Sequence, residues 1–284
     1  RHSFPTRRSS DLGLVPAPKH AAEVAAVPYD VVNREEAAAL AKGKPHSLLH
    51  VDRAEIDLDP EIDPYSAPVY AKARENFDRL QKDGILVREG KPCMYLYRQV
   101  IAGHSQTGLV TVCHTEDYEK DIIKKHEKTR ADKEDDRTRH IGDLSAHDEP
   151  VFLTYPKVVD IDAVVESAKL AIPIYDFKTQ DGVHHQLWPL DRDVGSHLTK
   201  LFAAVPTLYV ADGHHRSAAA SRVHKANRGD GMEHDAFLAV VFPHDQMKIM
   251  AYNRVVRDLE GRSPEVLLAA IGEVFDLAPA TAER

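Results

Sequence analysis

Cysteine is scarce: Cys93 and Cys113 are the only two in 284 residues. No Cys-x-x-Cys occurs, which excludes a zinc ribbon or a thioredoxin-type redox motif. Each thiol stands in an apolar run, so both are expected to be buried and reduced, as in a cytoplasmic protein. A basic excess is also missing. The net charge is −8, which argues against nonspecific nucleic-acid binding and against a membrane-surface protein. No apolar run approaches the roughly 20 residues needed to span a bilayer. G-x-x-x-x-G-K-[ST], a helix-opening G-x-G-x-x-G and G-x-S-x-G are all absent. That removes P-loop, Rossmann and nucleophile-elbow readings. Histidine is abundant, at 17. No His-x-x-x-His pair lies on a helix within a ligand set, so no dedicated zinc site is expected.

What is present suits an ordinary globular α/β chain. Apolar residues make up 43% and charged residues 29%, and the length allows one or two domains. Val24–Val27 and Ser47–Val51 read as strands. Asn33 with Glu36 forms a capping-box start to a helix that ends before Gly43. Val69, Tyr70, Ala73, Phe77 and Leu80 recur at helical spacing, so 66–82 is an amphipathic helix with a core-facing aromatic stripe. Met94–Ile101 and Thr107–His114 read as a hairpin across a five-residue loop. Further strands are expected over 151–155, 172–177, 183–187, 236–242 and 248–256, and helices over 160–170, 191–204 and 263–275. A lobe boundary is expected at residues 155/156, giving an N-terminal α/β lobe over 13–155 and a second lobe over 156–284.

Two stretches carry candidate chemistry. In the first, Leu208-Tyr-Val210 is a buried-type strand, Asp212-Gly213 breaks it, and an Ala-rich helix follows. A helix start offers free N–H groups and partial positive charge to an anion. Gly213 allows close approach of a ligand to the backbone. His214, His215, Arg216 and Ser217 fall in the first turn, and a guanidinium matches phosphate oxygens. Asp212 is a candidate Mg²⁺ ligand or histidine-orienting group. The plain alternative is an ordinary capped turn. In the second stretch, Lys124 to His140 contains one apolar residue, Ala131. Such a helix is solvated, mobile or part of a site. Its interleaved charges suit a lid or rim closing over a phosphate. The plain alternative is a salt-bridged surface helix.

The order of four segments resembles a known family. Val27-Pro-Tyr-Asp-Val-Val32, Leu49-His-Val-Asp-Arg53, His126-Glu-Lys-Thr-Arg130 and Ala211-Asp-Gly-His-His-Arg216 resemble domain of unknown function 1015. The last segment is also similar to the phosphate turn of the ParB/sulfiredoxin superfamily. That resemblance implies a ParB/sulfiredoxin-like core within an α/β fold of mixed sheets. It also implies a nucleotide-phosphate site, with Tyr29 and Asp30 lining the substrate side. Sulfinic-acid reduction would need a cysteine in the turn, where this chain has histidine. The free-serine kinase branch implies transfer of phosphate from ATP or ADP, with Mg²⁺, to a small hydroxyl acceptor. In that reading the turn, Lys128, Thr129, Arg130 and Arg137 hold phosphate. Glu127 is the candidate general base, and Asp212 and His215 complete the catalytic set. The alternative is a nucleotide-hydrolysing regulatory protein of ParB type without metabolite kinase activity. Both readings take a nucleotide and no membrane partner. Residues 1–12 resemble a translated sequencing adapter and are set aside. Relatives continue beyond the present C-terminus, so a truncated chain is expected.

Overall fold

The computed structural model describes residues 13–91, 93–227, 234–250 and 258–279. Residues 1–12, read as an adapter, lie outside the described residues. So do 251–257, which hold most of the strand expected over 248–256. Contacts divide the chain into two compact units, Arg1–Met247 and Lys248–Arg284.

The first unit opens with β1 (Leu14–Pro16), α1 (Ala21–Val24), α2 (Arg34–Ala41), α3 (Leu49–Asp52), α4 (Ala67–Lys82) and β2 (Leu86–Arg88). Next come β3 (Tyr95–Ile101), β4 (His104–His114), α5 (Thr115–Glu119), β5 (Ile123–Lys124), α6 (Ala131–Leu144) and β6 (Val151–Tyr155). It continues through α7 (Val159–Ala168), β7 (Tyr175–Lys178), β8 (His184–Pro189), α8 (Arg192–Phe202), β9 (Leu208–Asp212), α9 (His214–Ala226) and β10 (Ala236–Pro243). The second unit contains α10 (Pro264–Gly272), whose first turn donates from the Val266 amide to Ser263 Oγ at 3.4 Å.

Eight strands form one mixed sheet in the order β5-β9-β6-β10-β4-β3-β8-β7, and β1 pairs with β2 in a separate ribbon. The sheet draws strands from both sides of residue 155. Its core holds Leu96, Leu109, Leu153, Val210, Phe237 and Val241 from strands, with Ile161 of α7 and Leu198 and Phe202 of α8. Each such side chain removed from water contributes about 1.5–3 kcal/mol. A second core joins Val24, Val51, Val69, Phe77 and Leu80 to Leu144 at the end of α6. It binds the N-terminal helices to the rest of the unit.

Several expectations change. The stretch at 24–27 is the end of α1 followed by unpaired chain, with no neighbouring strand to complete a ladder. Residues 47–51 form a helical turn: the amides of Asp52 and Arg53 donate to Leu48 O and Leu49 O, both at 3.0 Å. A short apolar run leaves its period undecided, and burial of Leu49 and Val51 is met equally well by a helix. The β3–β4 loop is two residues, Ala102 and Gly103, at φ 48° and 80°, with Ile101 opposite His104. Both central residues are left-handed, as a tight hairpin turn requires. The helical half of 124–140 is no lid: α6 buries Asp136, Arg137, His140, Ile141 and Leu144. Of the two thiols, Cys113 is buried and Cys93 only half-buried. Among the described residues no helix is long and apolar enough to cross a membrane.

Candidate functional site

Sheet topology brings the two candidate stretches together. β5 pairs parallel to β9, with Ile123 opposite Leu208 and Lys124 opposite Tyr209. Parallel neighbours leave the sheet at the same end, so the chain after Lys124 emerges beside the Asp212-Gly213 turn. β6 runs antiparallel to β9, with Phe152 opposite Asp212. Its entry, Asp148-Glu149-Pro150, therefore arrives at that same end.

At the turn, Gly213 is left-handed at φ 88° and is the N-cap of α9. With no cap side chain, the first-turn amides of α9 are free of a competing local acceptor. Arg216 folds back beneath them. Its Nη2 donates to Asp212 Oδ2 and its Nη1 to Pro150 O, each at 2.6 Å. A Cβ on Gly213 would lie 3.0 Å from Arg216 Nε. The guanidinium thus braces the turn from inside, with two of its three nitrogens committed. Ser217 is also turned inward, its hydroxyl donating to His214 O at 3.1 Å and Gly213 O at 3.3 Å. It was expected to face phosphate, but its short side chain caps backbone carbonyls instead.

The 126–130 segment meets this turn directly. Glu127 Oε2 lies 3.4 Å from His214 Nδ1. The His126 ring stands edge-on to His214, with centroids 4.4 Å apart. The Arg130 amide donates to His215 Nε2 at 3.2 Å. Thr129 donates its hydroxyl to Glu134, and Arg130 pairs with Asp132 at 2.6 Å. Glu127 and Lys128 are exposed. His214 is 4% exposed, with Nε2 buried and unpartnered. Burial, reinforced by His126, pushes its pKa down against the pull of Glu127.

A second cluster lies along the buried face of α6. The Arg137 guanidinium carbon stacks 4.0 Å from the centre of the Tyr29 ring. Its nitrogens lie 3.0 Å from Asp136 Oδ2 and 3.6 Å from Glu149 Oε2. The Tyr29 amide donates to Glu149 Oε1 at 2.9 Å, and Tyr29 O accepts from Arg53 Nη1 at 3.1 Å. Tyr70 donates its hydroxyl to Asp136 Oδ1 at 2.7 Å. His140 Nε2 sits 2.7 Å from Asp148 Oδ2. Tyr29, Asp52, Arg53, Tyr70, Asp136, Arg137 and His140 border a cleft of about 460 Å³ including its mouth. Arg137 and His140 also line a smaller cavity that reaches Asp148, Glu149 and Arg216. Arg137 is therefore common to the cleft and to the cavity beneath the turn.

A family model described as "Protein of unknown function (DUF1015)" matches residues 12–284. The chain belongs to this family. No match was found among curated proteins or solved structures. All four segments that carry the DUF1015 resemblance contribute: they supply Tyr29, Asp52 with Arg53, and the 126–130 and 212–216 contacts.

The carboxyls of this DUF1015 chain are unevenly charged. Burial and the charge of Asp148 push Asp52 well above the usual carboxylate range. Burial also works to raise Asp148, but His140, a hydrogen bond from Asp52 and Arg137 outweigh it and hold it low. Glu149 is raised by burial and by Asp148. Arg137 stays charged because Asp136 and Glu149 outweigh its burial.

Asp30, expected on the substrate side, is exposed, while Tyr29 lies against Arg137. Asp212, expected to hold a metal, is bonded to Arg216 and belongs to neither group of three metal-ligand side chains among the described residues. One carboxylate already paired does not make a resident Mg²⁺ site. Both groups contain histidine: His20, Glu23 and His46, and Asp52, His140 and Asp148. Asp136, His140, Asp148 and Glu149 escaped the sequence reading, and Tyr70 was read only as part of a core-facing stripe. The signals were Leu49-His-Val-Asp-Arg53 and a Glu149-Pro150 pair leading into a strand.

Proposed function

We propose that this chain is a nucleotide-dependent phosphotransferase for a small hydroxyl compound, with free serine the first acceptor to test. The β9-turn-α9 unit is read as a ParB/sulfiredoxin-like phosphate site. One observation carries the reading: Glu127 and Arg130 meet His214 and His215 at an uncapped helix start.

The first-turn amides of α9 receive phosphate oxygens, with His215 and Arg130 beside them. Arg216 positions those amides by holding Asp212 and Pro150. Glu127, exposed and adjacent to His214, takes the acceptor proton. The cleft beyond Arg137 suits a zwitterion, since Glu55 and Asp136 line it together with Arg53, Lys133 and Arg137. Mg²⁺ arrives as the counterion of the nucleotide, which is how this ion is often bound.

The full chain is incubated with ATP, ADP or CTP, Mg²⁺ and a panel of hydroxyl amino acids, and products are read by mass spectrometry. A phosphorylated amino acid is expected. Arg130→Ala should lower its rate of formation about 100- to 1,000-fold, the scale for losing one group that stabilises transferred charge. Nucleotide hydrolysis without a phosphorylated acceptor would overturn the kinase reading and leave the regulatory one.

A further inference from the structure

We infer that Asp52, His140 and Asp148 form a binding site for one divalent transition-metal ion. The inference stands apart from the phosphotransferase reading. The three side chains come from α3, from α6 and from the entry to β6, and are 3%, 4% and 5% exposed. His140 Nε2 lies 2.7 Å from Asp148 Oδ2 and 4.0 Å from Asp52 Oδ1. One ligand atom from each lies within 4.8 Å of the other two. A bound ion draws such atoms to about 2.0–2.2 Å from itself, so only small shifts are needed.

A hydrogen-bonded cluster alone does not account for the arrangement. Asp52 Oδ1 is buried, faces His140, and has no hydrogen-bond partner. Buried acceptors are normally satisfied, and an exception calls for a ligand or another role. The local charges point the same way. The Arg137 charge acts on both Asp52 and Asp148, but Arg137 is already paired with Asp136 at 3.0 Å and Glu149 at 3.6 Å. That leaves two buried carboxyl groups around one imidazole, a donor set that a divalent cation binds with release of the proton Asp52 otherwise offers Asp148. One nitrogen and two carboxylate donors suit zinc, manganese or iron(II), whereas calcium and magnesium favour oxygen alone. Asp52 and His140 border the cleft, so an ion held there is within reach of whatever the cleft binds. Three protein ligands leave a coordination position open, as in metal centres that act on a substrate.

His20, Glu23 and His46 form the other such group, but it is partly exposed, and both Glu23 oxygens already bond His46, at 3.2 and 2.9 Å. It serves as the control. The full chain is stripped with chelator, loaded with Zn²⁺ or Mn²⁺ alone, desalted, and assayed by elemental mass spectrometry without nucleotide. One retained equivalent is expected. Asp148→Asn and His140→Gln should each weaken Zn²⁺ binding at least about tenfold, the lower end for even an outer partner of a metal ligand. His46→Ala should leave it unchanged. Electron paramagnetic resonance of the Mn²⁺-loaded parent should show coupling to one imidazole nitrogen. That readout stands even if a variant fails to fold. No retained metal, a nitrogen-free Mn²⁺ signal, or binding lost in His46→Ala but kept in His140→Gln would overturn the site. Metal bound without phosphotransfer would leave this site intact and sink only the kinase reading.

Discussion

Arg216 shows how one side chain can satisfy a motif and still play a different part from the one its type suggests. Asp-Gly-His-His-Arg announces a phosphate turn, and an arginine in the first turn of a helix reads as a phosphate donor. Here the side chain is 9% exposed and spans from Asp212 to Pro150. Gly213 is needed twice over, for its φ of 88° and because any Cβ would press on that guanidinium. The turn was legible because Gly and the following Ala run are strong local signals. The inward course of Arg216 was not, since its partner Pro150 is remote in sequence. His214 permits a test at this scale. Burial and His126 lower its pKa below 6.5. The unfolded chain therefore takes up the proton first as pH falls. The stabilisation is complete above 6.5 and is lost as pH drops through the folded value. His214→Gln should flatten the fall in Tm between about pH 7 and about pH 5, where histidines titrate, and leave the slope above pH 7 alone. Parallel Tm profiles for parent and variant would show that His214 is not held neutral.

At the scale of elements, α6 departs most from its sequence pattern. The helix turns Asp136, Arg137, His140, Ile141 and Leu144 toward the interior. That is a proper helical stripe, but three of its five members, Asp136, Arg137 and His140, are polar, so a search for apolar periodicity passes over it. The capping box of α2 and the apolar face of α4 were legible because each follows a local rule, and both form as expected. α3 was not, because four residues carry too little pattern. α6 is held by matched charge as well as by Ile141 and Leu144, and this sets the outcome of removing one partner. Arg137 is 7% exposed, so Arg137→Met keeps most of the stem while stranding Asp136 and Glu149. The expected loss is about 3–5 kcal/mol, the usual cost of an orphaned buried charge. Urea titration should show a lower midpoint with the slope unchanged. Adding Asp136→Asn should recover part of the loss, because the two changes share one interaction. A fully additive double variant would mean that the pair is not coupled.

For the molecule as a whole, strand order decides where the site lies. Pairing between Ile123-Lys124 and Leu208-Tyr209 joins residues far apart in sequence, and a two-residue strand leaves almost no trace in a pattern of side chains. Alternation along each strand indicates a sheet, but it does not indicate which strand lies beside which. The eight-stranded order, and the way it crosses the expected boundary at 155, were therefore out of reach. The same order makes a prediction about protection. Residues 125–130 run from the end of β5 to the start of α6, alongside the turn, and Lys124, Lys125, Lys128 and Arg130 are exposed there. Arg137, one turn or more inside α6, is buried. Limited trypsin digestion of the full chain should cut first among those four residues and spare Arg137 until the protein unfolds. A nucleotide seated on the first-turn amides would cover that connection. At about ten times its Kd it should slow those cuts about tenfold if the bound form resists cleavage. Peptide mapping against time gives the rates, and calorimetry on the same sample shows whether nucleotide is bound. Unchanged cutting at 124–130 with nucleotide demonstrably bound would place the phosphate away from this end of the sheet.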